Sequence, residues 1–406
     1  MNLERDSTRD FLTDIAGGEG QRCEFKERLD NLERMAGEIV AFANSEGGTL
    51  YVGVDDLGNL CGLNDADATF QALTNICRDR CFPAISPLIE QQTIAGKEII
   101  IVTVTPQLNR FKPYRTAGGR FYIRAGKDKK DATGRELMRI AQAAGELHYD
   151  ESPVIGAEVQ DFSMPDFEKY HDRQFGMSLE QHLEQSGVEL PVLLRNLKLV
   201  HDLDDDMLLT VAGVLLFGTN PQRFLPQSRV SAVAFAGVNE DSDILDRREM
   251  AGRLPEIIEE TRVFFDRNIR HPAREHGFYR EDILLYDSKA LGEAVVNAIA
   301  HRDYSLSGSQ IRVFLFDDRI EVRSPGRLPN SVSIDNIKLG VHAERNRTIS
   351  TLLTQSGYMS AIGTGIPRLV IRLSRAVSGR EPDFELVGEE LRVRIWARQL
   401  AQDRRV

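Results

Sequence analysis

The stretch GEAVVNAIAHRDYS, residues 292–305, decides how the second half of the chain is interpreted. Its small apolar residues predict a buried helix, yet this helix carries Glu293 and Asn297 four positions apart. Residues at i and i+4 share one face of a helix, so the carboxylate and the carboxamide point to the same side. An Asn oxygen suits Mg²⁺, and a Glu can accept a proton from an attacking water. The stretch therefore predicts a helix suited to metal-assisted phosphate chemistry.

Two glycine-containing loops follow this helix. A predicted strand breaks at the Ser-Pro-Gly turn of residues 324–326, where the backbone can approach a ligand closely. The Gly-Thr-Gly loop of residues 363–365 precedes a predicted helix that opens with Pro367, and free N–H groups at a helix N-terminus favour phosphate. The segment VHAERNRT between the loops is basic and polar, which predicts a mobile lid. Each feature alone is commonly structural, but the three in this order predict one nucleotide site.

Residues 293–304 and the motifs SPGRLP and GTGIPR resemble the ATP-binding domain of the GHKL superfamily, in the divergent branch once labelled a RecG-like helicase C-terminus. The resemblance covers about residues 200–398 and implies a Bergerat-type α/β sandwich, with helices on one face of a mixed sheet. It implies that Glu293 activates water and that Asn297 binds Mg²⁺. The candidate ATP-binding residues are Asn297, His301, Arg302, Gly326, Arg345, Gly363, Thr364 and Gly365.

The chain departs from this family at one position. Typical members carry an Asp two residues before a Gly, and that Asp reads the adenine amino group, whereas the loop here has Ser324 and no Asp. His301, Arg302 and Asp303 are typical of the branch; they either cap the end of the helix or contact phosphate, and capping is the preferred interpretation. The chain has no G-x-x-x-x-G-K-[ST] motif, which excludes a P-loop motor.

A second constellation lies near the N-terminus. The segment EGQRCEFKERL places Glu19 and Glu24 five residues apart, and AFANSEGGTLYVGVDD places Asp55 at the end of a predicted strand. Two Glu and an Asp from a neighbouring strand end can bind a divalent cation, as metal-assisted phosphodiester cleavage requires. The alternative is a simple salt bridge between Glu24 and Lys26 on an exposed strand.

The marks EFK, AFANSEGGTLYVGVDD and FYIRAGKD resemble the AlbA_2 domain of the Schlafen family over about residues 15–145. In Schlafen nucleases such residues form an acidic triad. The resemblance therefore implies that Glu19, Glu24 and Asp55 are catalytic metal ligands for Mg²⁺ or Mn²⁺, with Asp56 as a substitute. It also implies that Lys26 contacts phosphate. Many AlbA_2 domains are known only to bind nucleic acid, so binding without cleavage stays an alternative.

The residues 110–130, RFKPYRTAGGRFYIRAGKDKK, form a basic stripe on an otherwise acidic chain of net charge −11. The stripe holds eight Lys and Arg residues, one acid and four interleaved aromatic residues. Such a stripe can hold phosphates and stack bases, but it can equally be a solvated hairpin whose aromatic residues face a core. The candidate nucleic-acid contacts are Lys26, Arg110, Lys112, Arg115, Arg120, Arg124 and Lys127.

The composition predicts a soluble cytoplasmic protein of more than one domain. The chain has 406 residues, 41% of them hydrophobic and 28% charged, and its four cysteines form no CxxC pair or disulfide framework. The longest apolar run, LLTVAGVLLF, is too short to span a bilayer, and the start of the chain does not resemble a signal peptide. The predicted organisation is an α+β AlbA_2 domain at 1–150, a helical connector at 151–200, a GHKL-like α/β domain at 201–398 and a tail at 399–406.

The two resemblances together predict an ATP-binding protein that acts on nucleic acid. The first hypothesis is a metal-dependent nuclease module regulated by a GHKL-type ATP module, as in prokaryotic defence, with ATP and Mg²⁺ as cofactors and a homo-oligomer as the assembly. The alternative is a non-catalytic, ATP-responsive DNA-binding transcriptional regulator. A third hypothesis is a structural clamp that dimerises over nucleotide.

Overall fold

The computed structural model describes residues 11, 14–105, 111–144, 147–204, 206–276, 279–328, 332–341, 344–359 and 364–400. Two residues of the predicted sites, Arg110 and Gly363, lie outside the described residues. The chain divides into two compact units, Met1–Leu147 and His148–Val406.

The first unit combines helices with short strands. Its strands are β1 (Cys23–Lys26), β2 (Gly48–Val52), β3 (Cys81–Phe82), β4 (Leu88–Ile94), β5 (Lys97–Val104), β6 (Arg115–Thr116), β7 (Tyr122–Ala125) and β8 (Asp128–Asp131). Its helices are α1 (Leu32–Asn44), α2 (Ala66–Asp79) and α3 (Gly134–Ala144). The main sheet has the order β1-β2-β5-β4, in which β1 runs parallel to β2 and the other pairs are antiparallel. Strands β3 and β6 form one further pair, and β7 and β8 form another.

The continuous apolar sequence of β5 follows from its position inside this sheet. Ile100 and Val102 pack into the cluster that includes apolar residues of α1 and α2, whereas Ile99 and Ile101 pack into the cluster on the other face. Because successive side chains of a strand point to opposite faces, a strand that is covered on both sides needs apolar residues at nearly every position. The helix α1 starts at Asn31, whose Oδ1 accepts hydrogen bonds from the backbone N–H groups of Glu33 and Arg34.

The second unit holds the remaining strands and helices. Its strands are β9 (Pro153–Glu158), β10 (Val200–Leu203), β11 (Asp206–Thr210), β12 (Val230–Phe235), β13 (Ile244–Met250), β14 (Ala273–His276), β15 (Tyr279–Asp282), β16 (Ile311–Leu315), β17 (Arg319–Pro325), β18 (Asp383–Val387) and β19 (Glu390–Trp396). Its helices are α4 (Met164–Phe175), α5 (Leu179–Ser186), α6 (Leu190–Asn196), α7 (Val211–Phe217), α8 (Pro221–Phe224), α9 (Leu254–Asn268), α10 (Ser288–Ala300), α11 (Ile334–Lys338), α12 (Arg347–Gln355) and α13 (Arg372–Ser378). A π-helix, Gly365–Ile371, runs directly into α13.

A six-stranded mixed sheet organises the second unit. Its order is β13-β12-β16-β17-β19-β18, with β12 parallel to β16 and the other neighbours antiparallel. The helices α9, α10 and α13 pack against this sheet, and the apolar side chains between them form one large core. The class predicted from the sequence, α+β with a mixed sheet in the second half, is confirmed.

The residues 151–200 belong to the second unit. The sequence predicted a separate helical connector here, but Phe162, Phe167 and Leu194 are buried in the same core as the six-stranded sheet. Strand β9 of this segment also pairs with β11. The acidic, proline-containing sequence suggested a linker, yet several of its apolar side chains are buried in the second core.

A buried glutamate organises the opposite face of the six-stranded sheet. The Glu321 side chain is only 2% exposed, and it accepts hydrogen bonds from Arg319 Nε at 2.8 Å, Arg323 Nη2 at 2.6 Å and Arg394 Nε at 3.2 Å. Burial alone would raise the pKa of Glu321, but the hydrogen bonds from Arg319 and Arg323 lower it to about 2. Arg319 and Arg323 lie in β17, and Arg394 lies in β19. The carboxylate of Glu321 neutralises guanidinium groups from both strands and thereby links them.

Two expectations from the sequence concern the cysteines, for which no disulfide framework is predicted, and the apolar segments, which are predicted to be too short for a bilayer. All four cysteines are free: Cys23, Cys77 and Cys81 are buried, and Cys61 is exposed. Among the described residues, none of the helices has both the length and the apolar character that crossing a bilayer requires.

We predict that Glu321→Gln lowers the free energy of unfolding by about 1–3 kcal/mol, because it removes a buried carboxylate that accepts hydrogen bonds from Arg319, Arg323 and Arg394. These arginines keep their outer partners Asp318, Glu240 and Glu385. Glu259→Gln is the control; it removes an exposed pair with Arg262, and we expect a change of at most about 1 kcal/mol. Urea denaturation at pH 7 measures both variants. A loss for Glu321→Gln no larger than that of the control would contradict the prediction.

The same carboxylate predicts how stability depends on pH. The pKa of Glu321 is lower in the folded protein than its ordinary value of 4.5, so its contribution is fully present above pH 4.5 and is lost as the pH falls toward about 2. The difference in unfolding free energy between wild type and Glu321→Gln should therefore shrink as the pH is lowered below 4.5. Urea titrations from pH 7 to pH 3 measure this difference, and a constant value over that range would count against the assignment.

Candidate functional site

Helix α10 presents the predicted carboxylate and carboxamide to a cavity in the second unit. The helix begins at Asp287, whose Oδ1 accepts hydrogen bonds from the N–H groups of Lys289 and Ala290 at 2.9 and 3.1 Å. Glu293, Asn297 and His301, which are spaced four residues apart, all line the cavity. The local pattern of the sequence therefore placed these side chains on one face, as predicted.

The cavity is open to solvent on one side, and about 1280 Å³ of space lies within its outline when that solvent is included. Strands β17 and β19, helix α12 and the start of the π-helix also contribute to its wall. The apolar lining residues include Val322, Val332, Ile337, Val370, Phe384 and Val393. A cavity that is mainly apolar, with a few polar groups that converge on it, is the usual form of a small-molecule site.

Glu293 and Asn297 form a hydrogen-bonded pair at this wall. Asn297 Nδ2 donates to the backbone oxygen of Glu293 at 2.7 Å and to Glu293 Oε1 at 2.9 Å. Burial raises the pKa of Glu293, although the hydrogen bond from Asn297 acts against this shift. These two bonds use the amide nitrogen of Asn297. Its Oδ1 makes no hydrogen bond with a described residue and is available to a ligand.

A glycine brings the downstream loop against this pair. A Cβ atom at Gly365 would lie 1.8 Å from Glu293 Oε1 and 2.6 Å from Glu293 Cδ, distances that real atoms do not reach. Only glycine therefore allows the two segments to be this close. Gly365 lines the cavity, whereas the side chain of Thr364 is not part of its lining. The segment that follows is a π-helix rather than the predicted α-helix, and such turns are frequent at functional sites.

The second glycine loop is held by an ion pair. Arg345 Nη1 lies 2.9 Å from Asp303 Oδ2, and Arg345 also donates to the backbone oxygen of Arg327. Gly326 has φ +120°, and a Cβ atom there would lie 2.8 Å from Arg345 Nη1. Gly326 and Arg345, which the sequence predicts as ATP contacts, both line the cavity. Glycine is required at position 326 by its φ and by the close approach of Arg345.

Arg302 does not contact the cavity, which corrects one of the predicted ATP contacts. Its side chain is fully buried and donates to the backbone oxygens of Asp303 at 3.0 Å, Leu306 at 2.9 Å and Ser309 at 2.6 Å. It therefore orders the loop after α10, which agrees with the alternative of a helix-capping network. His301 is the residue that ends α10, and its backbone N–H donates to Asn297 O at 3.0 Å.

In the first unit, Glu19 and Glu24 converge on Lys26. Glu19 Oε1 accepts a hydrogen bond from the backbone N–H of Phe25 at 3.1 Å and lies 3.9 Å from Lys26 Nζ. Glu24 accepts hydrogen bonds from Lys26 and from Arg124 Nη1, the latter at 3.0 Å. Burial raises the pKa of Glu24, and the hydrogen bond from Lys26 opposes this. The carboxylate of Glu24 is thus already paired with two cations.

Asp55 is not brought into this group. Its Oδ1 accepts hydrogen bonds from the N–H groups of Leu57 and Asn59 at 2.9 and 2.8 Å, and its Oδ2 accepts one from Asn59 Nδ2 at 3.0 Å. These bonds to Asn59 lower the pKa of Asp55 and tie it to a turn. Glu24 of β1 lies opposite Leu50 of β2. Asp55 comes five residues after Leu50 along the chain, beyond the end of β2. Within the described residues, no group of three or more His, Cys, Asp or Glu side chains is arranged to hold a metal ion.

Glu38 shares Arg124 with Glu24, and the sequence analysis did not identify it. Arg124 Nη1 lies 3.0 Å from Glu24 and 3.1 Å from Glu38, and Lys129 Nζ lies 2.8 Å from Glu38. Glu38 stands inside the apolar helix α1 and is 4% exposed. A glutamate in an apolar helix was the signal that identified Glu293, and the same signal could have identified Glu38.

The basic stripe divides into buried and exposed cations. The side chain of Arg124 is fully buried, and Lys112 is also buried, with its Nζ donating to Ser45 O at 3.1 Å. Burial lowers the pKa of Lys112 to about 8. Neither side chain can meet a nucleic acid, which corrects two predicted contacts. Arg115, Arg120 and Lys127 are exposed, and the guanidinium of Arg115 lies 5.3 Å from the ring centre of the exposed Phe82.

Comparison with known proteins supports the two resemblances. Residues 19–133 match the family described as "Schlafen, AlbA_2", and residues 308–395 match the family described as "Putative ATP-dependent DNA helicase recG C-terminal". The matches confirm the predicted pair of domain types and together indicate a nucleic-acid-related protein. Glu293 and Asn297 precede the second matched segment, so their role rests on the geometry alone.

The solved structures that match the chain include the following two. The DIP2311 protein from Corynebacterium diphtheriae is 20% identical, with 93% of this chain and 76% of that chain covered and a TM-score of 0.48. The N-terminal domain of a protein from Nitrosomonas europaea, described as putative ATP-dependent DNA helicase RecG-related, is 22% identical, with 30% of this chain and 92% of that chain covered and a TM-score of 0.23. No curated protein matches the chain significantly. The domain assignment rests on the two family matches.

We predict that Gly365→Ala lowers the free energy of unfolding by about 1–3 kcal/mol, because its methyl group displaces the Glu293 carboxylate. Gly292→Ala in α10 is the control; a Cβ atom there meets nothing within 4 Å, so we expect no loss and a gain of up to about 1 kcal/mol from helix propensity. In the Glu293→Ala background the effect of Gly365→Ala should become smaller. Urea denaturation of the four-member cycle measures this coupling, and additive effects would contradict the contact.

Proposed function

We propose that the second unit binds a nucleoside triphosphate of the ATP class together with Mg²⁺, and that the first unit contacts nucleic acid. The observation that supports the nucleotide site best is the pair Glu293–Asn297, which lies against Gly365 at the wall of a large apolar cavity. The family match of residues 308–395 supports the same class of ligand by its printed description.

The donor set of the cavity suits magnesium bound through phosphate. Mg²⁺ sites of this kind use one or two protein oxygens and take their other ligands from water and substrate phosphates. Among the polar lining residues, Asn297 Oδ1 is the proposed protein ligand, and the carboxylate of Glu293 is hydrogen-bonded beside it. A bound Mg²⁺ would neutralise charge on the triphosphate. Arg345 lines the same cavity and adds a positive charge at the loop of Gly326.

Glu293 is suited to slow hydrolysis of such a ligand. Burial raises the pKa of Glu293, and a carboxylate of higher pKa is a better acceptor for the proton of an attacking water. Asn297 holds the carboxylate through Nδ2, which orients one oxygen of Glu293. Only the deprotonated form can accept a proton, so turnover should rise as the pH rises through the pKa of Glu293.

We expect Asn297→Ala to weaken Mg²⁺-dependent binding of ATP at least about 10-fold, because it removes the proposed metal ligand. Asn268→Ala is a matched control: Asn268 Nδ2 also donates to the backbone oxygen four residues earlier, but Asn268 lies outside the cavity. Glu293→Gln should retain binding and lose turnover. Isothermal titration with ATP, with and without Mg²⁺, measures binding, and phosphate release measures turnover.

Two outcomes would contradict this assignment. If Asn297→Ala bound ATP and Mg²⁺ with the affinity of the Asn268→Ala control, Asn297 would not be a metal ligand. If wild type bound no nucleoside triphosphate at any Mg²⁺ concentration tested, the nucleotide function itself would fail.

In the first unit, the geometry favours contact with nucleic acid rather than cleavage. Glu24 is paired with Lys26 and Arg124, and Asp55 is tied to its own turn, so a ready set of three metal ligands is not assembled. The exposed cations Arg115, Arg120 and Lys127 and the exposed ring of Phe82 can serve phosphate contact and base stacking. A metal-dependent nuclease is the second candidate function, because residues 19–133 match the family described as "Schlafen, AlbA_2".

We predict that the triple variant Arg115→Ala, Arg120→Ala and Lys127→Ala weakens binding of single-stranded nucleic acid. It should also reduce the slope of log affinity against log salt by about 2, at roughly 0.7 per phosphate contact. A variant that replaces three exposed arginines of the second unit by Ala, at Arg262, Arg267 and Arg375, is the control for net charge. Fluorescence anisotropy with labelled RNA and DNA over a salt series measures the slopes.

The same labelled strands also test cleavage. They are incubated with Mn²⁺ and analysed for shorter products. Equal slopes for the two triple variants would contradict the proposed contact surface. Cleavage that disappears in Glu24→Gln would replace the binding function with the nuclease function.

A further inference from the structure

Helix α12 forms part of the wall of the nucleotide cavity. Ser350 and Thr354 of this helix line the cavity, and so does Arg345, which comes two residues before the helix begins. The last residue of α12, Gln355, is anchored by a hydrogen bond from Tyr170 OH. The first N–H groups of a helix have no partner within it, so the start of α12 needs an anchor as well.

The residue at the usual capping position does not supply this anchor. Asn346 directly precedes α12, but its side chain makes no hydrogen bond to the free N–H groups of the helix. Its Nδ2 donates instead to the backbone oxygens of Ala300 and Arg302, at 2.8 and 2.7 Å, and thereby ties the segment before α12 to the end of α10. The acceptor for the first turn of α12 therefore comes from another part of the chain.

Asp150 is that acceptor, although it lies 199 residues from its partner in the sequence. Its Oδ2 accepts a hydrogen bond from the N–H group of Ile349 at 3.0 Å, in the first turn of α12. The neighbouring Glu151 Oε1 accepts a hydrogen bond from Thr348 Oγ1 at 3.3 Å. Asp150 thus fixes the start of the helix that carries part of the cavity wall.

Two opposing effects act on the carboxylate of Asp150. The side chain is fully buried, and its Oδ1 has no hydrogen-bond partner among the described residues, which favours the neutral form. The hydrogen bond from Ile349 and the positive end of α12 favour the ionised form. Burial is the larger effect, and it raises the pKa of Asp150 to about 6.

The surroundings of Asp150 contain several titratable groups but no ion pair with it among the described residues. Its neighbour Glu151 raises the pKa of Asp150, and His148 lowers it. Helix α7, which packs against the segment of Asp150, is wholly apolar. The titratable groups on and around this segment are His148, Tyr149 and Glu151, together with Arg302, Asp303 and Tyr304 after α10 and the exposed Arg347 of α12.

We propose that Asp150 is a positioning residue of the nucleotide cavity, and that its ionised form holds the first turn of α12 in the arrangement that binds the ligand. This inference rests on the proposed binding of a nucleoside triphosphate. An ionised carboxylate holds the N–H groups at a helix start more strongly than a neutral carboxyl group does. Protonation of Asp150 loosens the turn that lies between Arg345 and Ser350. The affinity for ATP should therefore fall as the pH falls through about 6.

The test compares two proteins that differ only in whether residue 150 can ionise. The parent is Glu293→Gln, in which ATP is not turned over and Glu293 cannot titrate, and the variant adds Asp150→Asn. With saturating Mg²⁺, we expect the parent to bind ATP about 2- to 5-fold more tightly than the variant at pH 7, the range for a charge at a helix terminus. At pH 5 this ratio should approach one, because Asp150 is then neutral. Any pH dependence that comes from ATP or from His301 is common to both proteins and cancels in the ratio.

Glu151→Gln in the same parent is a second, independent variant. The negative charge of Glu151 raises the pKa of Asp150, so its removal should move the midpoint of the pH dependence to lower pH. A residue with a purely structural role would give no such shift. Isothermal titration with ATP over a pH series measures the midpoints, and melting temperatures show which variants are folded.

Asp65→Asn in the same parent is the matched control. Asp65 Oδ1 also accepts a hydrogen bond from a backbone N–H at the start of a helix, that of Ala68 at 2.9 Å, but this helix is α2 of the first unit. We expect this variant to bind ATP like the parent at every pH. A loss of the same size as that of Asp150→Asn would contradict a specific role of Asp150.

The outcomes separate failure of this inference from failure of the nucleotide function. If the ratio of affinities between parent and Asp150→Asn stays constant from pH 7 to pH 5, the nucleotide site stands and the role of Asp150 is refuted. If Asp150→Asn does not fold, an unmoved midpoint in Glu151→Gln refutes it instead. If neither wild type nor the parent binds a nucleoside triphosphate, both proposals fall together.

Discussion

The contact between Gly365 and Glu293 is the constraint on which the cavity of the second unit depends. A side chain of any size at position 365 would occupy the space of the Glu293 carboxylate. The absence of that side chain lets the π-helix lie directly against α10, and the cavity forms between these segments and the sheet. A backbone that approaches a carboxylate so closely also leaves Glu293 poorly hydrated, which is why its pKa is raised.

Buried glutamates have three different environments in this protein, and each environment decides what the carboxylate can do. Glu321 is surrounded by arginines, so it is held ionised and stabilises the sheet. Glu24 and Glu38 share Arg124, which makes them a structural network. Among the described residues, Glu293 is hydrogen-bonded to the amide of Asn297 and paired with no cation, so burial raises its pKa, and the pair lines a cavity. A buried acid that lacks a cation is the one best suited to chemistry.

The part of the site that lies within one helix was predictable, because α-helix geometry alone puts Glu293 and Asn297 on one face. The Gly-Thr-Gly loop was recognisable in the sequence, but the close approach of Gly365 to the carboxylate of Glu293 was not. Arg302 differs from its prediction through contacts with nearby residues, but other predictions that differ from the structure depended on contacts between distant parts of the chain. Arg124 looked like an exposed cation of a hairpin, but tertiary packing turns it toward Glu24 and Glu38. Asp55 was grouped with Glu19 and Glu24 because it ends a neighbouring strand and because the chain resembles the Schlafen family, yet tertiary structure ties Asp55 to its own turn.

The sequence by itself determined the α+β class, the two domain types and the helix face that carries Glu293 and Asn297, because periodicity and short motifs are local properties. Only the tertiary structure decided which charged side chains are buried together, that residues 151–200 join the second core, and that Asp150 caps the distant helix α12. The physical reason is that burial and pairing depend on which segments meet in space. The residues next to a given residue in the sequence carry little information about which distant segments it will contact.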